Sequence, residues 1–145
     1  MCFQGQTVGV TSGFTIDEET RAGLIRKAPD AAKYIHPFMG GDDLLHSTSL
    51  NRHVTDLPQA DALETARDAP GLMTHVRDAV LPQRESAAQK ENEQNAERLA
   101  ADPKARLPRH HRNFLDRWWQ PSYRRSDMVT AVESLTRYVD ISRVT

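Results

Sequence analysis

A chain of 145 residues can bury one modest core and leaves no room for a second, catalytic domain beside it. Its 38% of apolar residues lies below the roughly 45–50% of average globular chains, so the core should be thin, as in a fold that is partly extended or packs on something else. A net charge of −1 announces no polyanionic partner, and Cys2, the sole cysteine, excludes an internal disulfide or a cysteine zinc cluster.

In chain order, Met1 to Phe14 alternates Phe3, Val8 and Val10 with polar residues and is studded with Gly5, Gly9 and Gly13, which predicts strand with a turn or bulge. Thr15-Ile16-Asp17-Glu18 reads as a capping box opening a helix with acids in its first turn, Arg26 and Lys27 at its end, and Ala28-Pro29 as its stop. Ala31 to Leu45 reads as a strand, a turn at Gly40-Gly41 and a short second element; Arg52 to Leu57 is a weaker strand signal. Asp61 to Arg67 and Pro70 to Leu81 read as two short helices, the second with Leu72, Val76 and Val80 on one face.

At Gln83 the pattern changes. Gln83 to Ala101 is rich in helix formers, but Leu99 is its only large apolar residue. Such a helix has little to bury, and bridges solvent, docks on a partner or is partly disordered. Residues 83–108 thus read as a polar helix and basic linker. Ser126 is a good N-cap for a helix carrying Met128, Val132 and Leu135, and Arg137 to Thr145 closes with strand-like alternation. The expected class is α+β: a small mixed sheet, several short helices and one long polar helix.

The average charge hides a polarised distribution. From Lys104 to Arg125 there are seven Lys/Arg against Asp116 alone, whereas residues 1–103 hold ten Lys/Arg against sixteen Asp/Glu. Within this stretch Arg112, Arg117, Arg124 and Arg125 are interleaved with Phe114, Trp118, Trp119 and Tyr123. Arginines neutralise phosphates or read guanine edges and aromatics stack or pack, so a nucleic-acid contact is weighed against core tryptophans with ordinary surface arginines.

Other chemistry is thinly represented. His110-His111 with Asp116 lacks conventional ligand spacing for a metal, and Asp42-Asp43 after two glycines is better read as a turn. No acidic pair followed by Glu-x-Lys suggests a nuclease. Gly5, Gly9 and Gly13 do not form a cofactor loop opening a helix, and no Asn-Pro or Asp-Pro-Pro turn for an exocyclic amine occurs. The chain is not expected to methylate anything unaided. It lacks a signal-peptide pattern and any run of about 18 apolar residues, so the expected location is cytoplasmic, with no membrane partner.

In order along the chain, Phe3-Gln4-Gly5 with Gly13-Phe14, Asp17-Glu18-Glu19 to Leu24-Ile25, Pro37 with Gly40-Gly41-Asp42-Asp43-Leu44, Arg52 to Leu57, Val80-Leu81-Pro82-x-Arg84, Arg117-Trp118-Trp119 and Arg137-Tyr138 to Ser142-Arg143-Val144 form an ordered set. The set resembles the region after the catalytic domain in single-chain type IIG/IIL restriction-modification enzymes, adenine methyltransferases that carry their own target-recognition domain. His53 and Leu57 depart from the Arg-aromatic-x-Ile-Asp-Phe strand of that family. The resemblance implies a single partial domain over residues 1–145, double-stranded DNA as partner, and S-adenosylmethionine as cofactor of the full enzyme, with none held by this chain. Arg112, Arg117, Arg124 and Arg125 are then the phosphate candidates, with Gln4, Gln6 and Arg143 as further groove or backbone contacts. The alternative of a different class is a small interaction subunit or gene remnant that docks through the polar helix on a separate methyltransferase or nuclease chain.

Overall fold

The computed structural model describes residues 5–40, 43, 51–57, 61–133 and 135–136. Thr15–Asp17 (β1) and Ile35–Pro37 (β2) pair on either side of Arg52–Thr55 (β3), both antiparallel. The α+β class holds, and the described strands pair only antiparallel where a mixed sheet was expected. The weakest strand signal in the sequence is therefore the centre of the sheet. Its residues His53, Val54 and Thr55 are all buried, so the strand lacks the apolar-polar alternation that marks a half-exposed one. Bonds from Phe38 N to Arg52 O and from Asp56 N to Tyr34 O, both 2.9 Å, extend the β2–β3 pairing at either end.

Around the sheet run Thr11–Phe14 (α1), Glu18–Lys27 (α2), a 3-10 helix at Pro29–Tyr34, Ala62–Asp68 (α3), Pro70–Ala101 (α4), His110–Leu115 (α5) and Ser126–Glu133 (α6). Several depart from expectation. Residues 11–14 form a helical turn rather than strand, closed by Gly13 N and Phe14 N donating to Val10 O. The cap of α2 is Asp17, whose carboxylate accepts from Thr20 N at 2.8 Å, not Thr15. Thr15 pairs with Val54 and Ile16 is buried in the sheet, so the helix can start only after them. Ala31 to Tyr34 belongs to the 3-10 turn, which leaves β2 three residues long. The strand expected at 137–145 lies outside the described residues.

The largest correction concerns α4. In place of two segments it is one helix of 32 residues, with Pro82 in its interior. An internal proline removes one backbone bond and crowds the preceding turn at a cost of about 3 kcal/mol, so tertiary contacts must hold the helix through it. Just past it the Gln83 side-chain amide donates to Ala79 O at 2.9 Å, a further bond within the turn that Pro82 crowds. The first half of α4 supplies Leu72, Met73, Val76 and Val80 to a core shared with Phe14, Ile16, Ile35, Val54 and Leu57.

The helical turn α1 approaches α4 so closely that a Cβ on Gly13 would lie 2.4 Å from Val80 Cγ2 and 3.3 Å from Ala79. Only hydrogen fits there. Gly13→Ala should therefore force the two elements apart and lower stability by about 1–3 kcal/mol, read as a lower urea midpoint at unchanged slope.

Candidate nucleic-acid interface

Beyond Val80 the buried face of α4 continues at the same helical spacing but changes chemistry. Arg84, Ala88 and Glu91 are buried and Asn95 is half-buried, at intervals of four, three and four residues. The predicted polar helix is thus ordered and docked within the chain itself. Arg84, only 4% exposed, donates through one terminal nitrogen to Phe114 O (2.8 Å) and Arg117 O (3.1 Å), and through the other to Gln120 O (2.9 Å) and Ser122 Oγ (3.5 Å). Its guanidinium also lies over the rings of Phe14 and Phe114, at 5.3 and 5.5 Å. Burial, with the neighbouring Arg117 charge adding to it, pulls the Arg84 pKa down to about 10. The group stays charged at neutral pH, and its charge is answered by neutral carbonyls rather than by a carboxylate.

Glu91 works in the opposite sense. Its carboxylate oxygens accept from His111 N and Arg112 N, each at 3.0 Å, and cap α5, whose own N-cap residue Arg109 supplies no side-chain bond. Burial pushes the Glu91 carboxyl upward, but the backbone donors of Arg112, His111 and His110 and the His111 charge outweigh it and hold the pKa below its ordinary 4.5. Asn95 completes the seam by donating to Pro108 O at 2.8 Å.

The far end of the basic segment is tied to the sheet. Thr7 and Tyr123 exchange backbone bonds of 3.0 and 2.9 Å, and Ser122 N donates to Val8 O at 3.3 Å. Gly9 passes so close, at φ 80°, that a Cβ would overlap Ser122 Oγ. Gln6 donates to Arg124 O at 3.0 Å, and Arg124 Nε bonds both carboxylate oxygens of the buried Asp56 at 2.9 Å. Arg125 follows with φ 54°, a left-handed backbone that is uncommon without glycine, and its carbonyl accepts from Val129 N at the start of α6.

These anchors shape two adjoining hollows. One, of about 380 Å³, is lined by Arg117, Arg124 and Arg125 together with Tyr123, Ser126 and Asp127 among others. The other, of about 420 Å³, is lined by Thr7, Gly9, His110, His111, Phe114 and Tyr123 among others. Tyr123 and Ser122 belong to both walls.

Three of the predicted phosphate residues thus converge on one hollow, while Arg112 stands outside it, on α5, paired with Asp116 at 3.3 Å. Gln6 is committed to the Arg124 carbonyl, and Gln4 and Arg143 lie outside the described residues. Trp119 is buried in the core and Trp118 packs half-buried against it, in line with the core reading. Asp43 accepts from Gly40 N and pairs with Arg52, as the turn reading expects; Asp42 lies outside the described residues. Among the described residues no cluster of His, Cys, Asp or Glu could hold a metal ion, and no helix is long and apolar enough to cross a membrane.

Of the residues that organise the site, Arg84 entered the sequence reading only as the end of the Val80-Leu81-Pro82-x-Arg84 motif, and Glu91, Asn95 and Asp56 were not singled out. A signal for the first three was present: they extend the Leu72, Val76, Val80 stripe along one helical face. A search for apolar periodicity passes over it because the stripe turns polar.

No family model matches the chain, and no curated protein matches it. Among solved structures it is similar to MmeI, a type IIL restriction-modification enzyme determined in complex with DNA, with a TM-score of 0.53 and 19% sequence identity. The match covers 82% of this chain and 13% of that one, so this chain spans a small part of the enzyme it resembles in fold.

Two consequences can be measured. Arg84→Met should leave several buried carbonyls without donors and cost about 2–4 kcal/mol, with Trp118 and Trp119 fluorescence reporting the loosened 114–122 segment. Glu91 has a folded pKa below its unfolded one, so its contribution is complete above the unfolded value and disappears as pH falls through the folded value. Wild type should therefore exceed Glu91→Gln by about 1–2 kcal/mol at neutral pH, and urea unfolding over an acid series should show that gap closing below pH 4.5.

Proposed function

We propose that this chain is a DNA-binding target-recognition segment, one partial domain of an S-adenosylmethionine-dependent, adenine-specific DNA methyltransferase in a restriction-modification system, and that it is not catalytic alone. It acts in the cytoplasm on double-stranded DNA, and the methyl donor is held elsewhere in the full enzyme. The convergence of Arg117, Arg124 and Arg125 on one hollow carries this reading. A phosphate there meets Arg117 and Arg125, with Arg124 already answered by Asp56 and with Asp127 on the same wall, in a segment whose sequence is locally basic although the molecule is near neutral. The left-handed backbone of Arg125 fits it, because such conformations gather at ligand sites where surrounding structure enforces them. The fold likeness to an enzyme determined with DNA supports the same direction.

Arg124 has a second duty. Reversing its charge would set a carboxylate against buried Asp56 and unfold the link to the sheet, so a loss of binding there would be ambiguous. Arg117, which is exposed, is the cleaner probe, and Arg125 is added to it as a second cation of the hollow. The full chain should bind a labelled random duplex at micromolar level at about 50 mM salt and lose that affinity steeply by about 200 mM. Arg117→Glu with Arg125→Glu should weaken binding at least tenfold and flatten the salt slope by about two. Unchanged affinity and slope in the folded double variant would sink the assignment.

The second reading, a subunit docking through the polar helix, has one observation in its favour. Residues 92–101 of α4 are exposed except for half-buried Asn95, and Leu99 is 41% exposed there. A folded chain that ignores DNA but binds a separately supplied methyltransferase or nuclease chain would favour it.

A further inference from the structure

We infer that the aromatic hollow beside the arginines is a stacking site for an unpaired nucleobase, so that the two hollows together hold one nucleotide, its phosphate among the arginines and its base among the rings. This rests on the DNA reading and deepens it, since it names what part of the DNA this surface takes.

The argument begins with Tyr123, which is 43% exposed and forms the wall common to both hollows. On the arginine side Arg125 lies over its ring at 5.3 Å. In the other hollow Phe114 meets Tyr123 edge-on at 5.6 Å and His110 edge-on at 4.5 Å, so Phe114 forms a floor that props both rings. His110 and Tyr123 close the third side of this aromatic cluster. Their centroids are 6.5 Å apart with the planes tilted by 41°. Rings at this separation are packed, so a base stacks on the exposed part of the cluster and not between its members. His110 is exposed and able to turn its ring toward such a base.

A duplex interior cannot supply such a ring, because its bases are paired and stacked. A base in a bulge, a frayed end or a single strand can. Every base has a π-face, so stacking of this kind tolerates sequence, while the cations one side-chain width away select a ligand that carries a phosphate next to its ring. An aromatic side chain of a protein partner would stack there equally well but would leave the arginine hollow without its anion. The pairing of the two hollows favours a nucleotide.

The test compares two labelled duplexes of one sequence, fully paired or with a two-nucleotide bulge, titrated with the full chain at about 50 mM salt. The bulged duplex should bind about tenfold tighter, the order expected for one stacked base. The bulged-to-paired affinity ratio should fall toward one in His110→Ala and in Tyr123→Ala, and should survive in Tyr123→Phe. His110 lies on the exposed side of α5, which guards against a folding artefact at Tyr123. Equal affinity for the two duplexes, or a ratio unmoved by His110→Ala in a folded protein, would overturn the stacking site while leaving the phosphate assignment standing. Failure to bind either duplex would overturn both.

Discussion

Most of this structure depends on a single guanidinium removed from water. A charge as buried as Arg84 is tolerated only if its donors are satisfied, and here three backbone carbonyls and a serine hydroxyl receive them. That requirement folds residues 114–122 into a turn around the side chain, closes the turn over the Phe14 end of the core, and fixes where Tyr123 and the arginines emerge. Because no carboxylate neutralises it, Arg84 also adds to the positive field of the surface it builds.

The sequence made some of this legible and hid the rest for physical reasons. The body of helix α2 with its acidic first turn and basic end, the turn at Asp43, the apolar face of Leu72 to Val80 and the basic aromatic segment are local features, set by charge placement, turn chemistry and periodicity, and they stand where the residues put them. The misplaced elements are those that tertiary contacts override. Thr15 would cap a free helix, but pairing with Val54 claims it for the sheet. Pro82 would end a free helix, but the anchors at Arg84, Glu91 and Asn95 carry α4 past it. At the candidate site the sequence pointed to the stretch 112–125, yet could not tell Arg124, which is tied to Asp56, from exposed Arg117. That distinction depends on a partner 68 residues away in the chain.

The thin core inferred from composition also finds its explanation. Apolar burial is concentrated between the sheet and the first half of α4, and the second half is held by charge-assisted and amide hydrogen bonds. The chain therefore has two stabilising regimes along one helix. Hydrophobic packing strengthens with temperature over the ordinary range and carries the heat-capacity change of unfolding, while the polar seam contributes little to it. Local opening of the 108–122 segment is expected to follow acid and denaturant differently from global unfolding.

One property of the polar seam reaches beyond stability. Arg84 holds the carbonyls of Phe114, Arg117 and Gln120, Glu91 holds the amides of His111 and Arg112, and Asn95 holds the carbonyl of Pro108. Nearly every grip is on the main chain, which each amino acid other than proline presents alike. The side chains displayed by this segment are consequently not what keeps it in place. Over generations such a surface can exchange its outward residues while its scaffold stays fixed: three inward-facing residues of α4 hold the shape and leave the displayed side chains free to change.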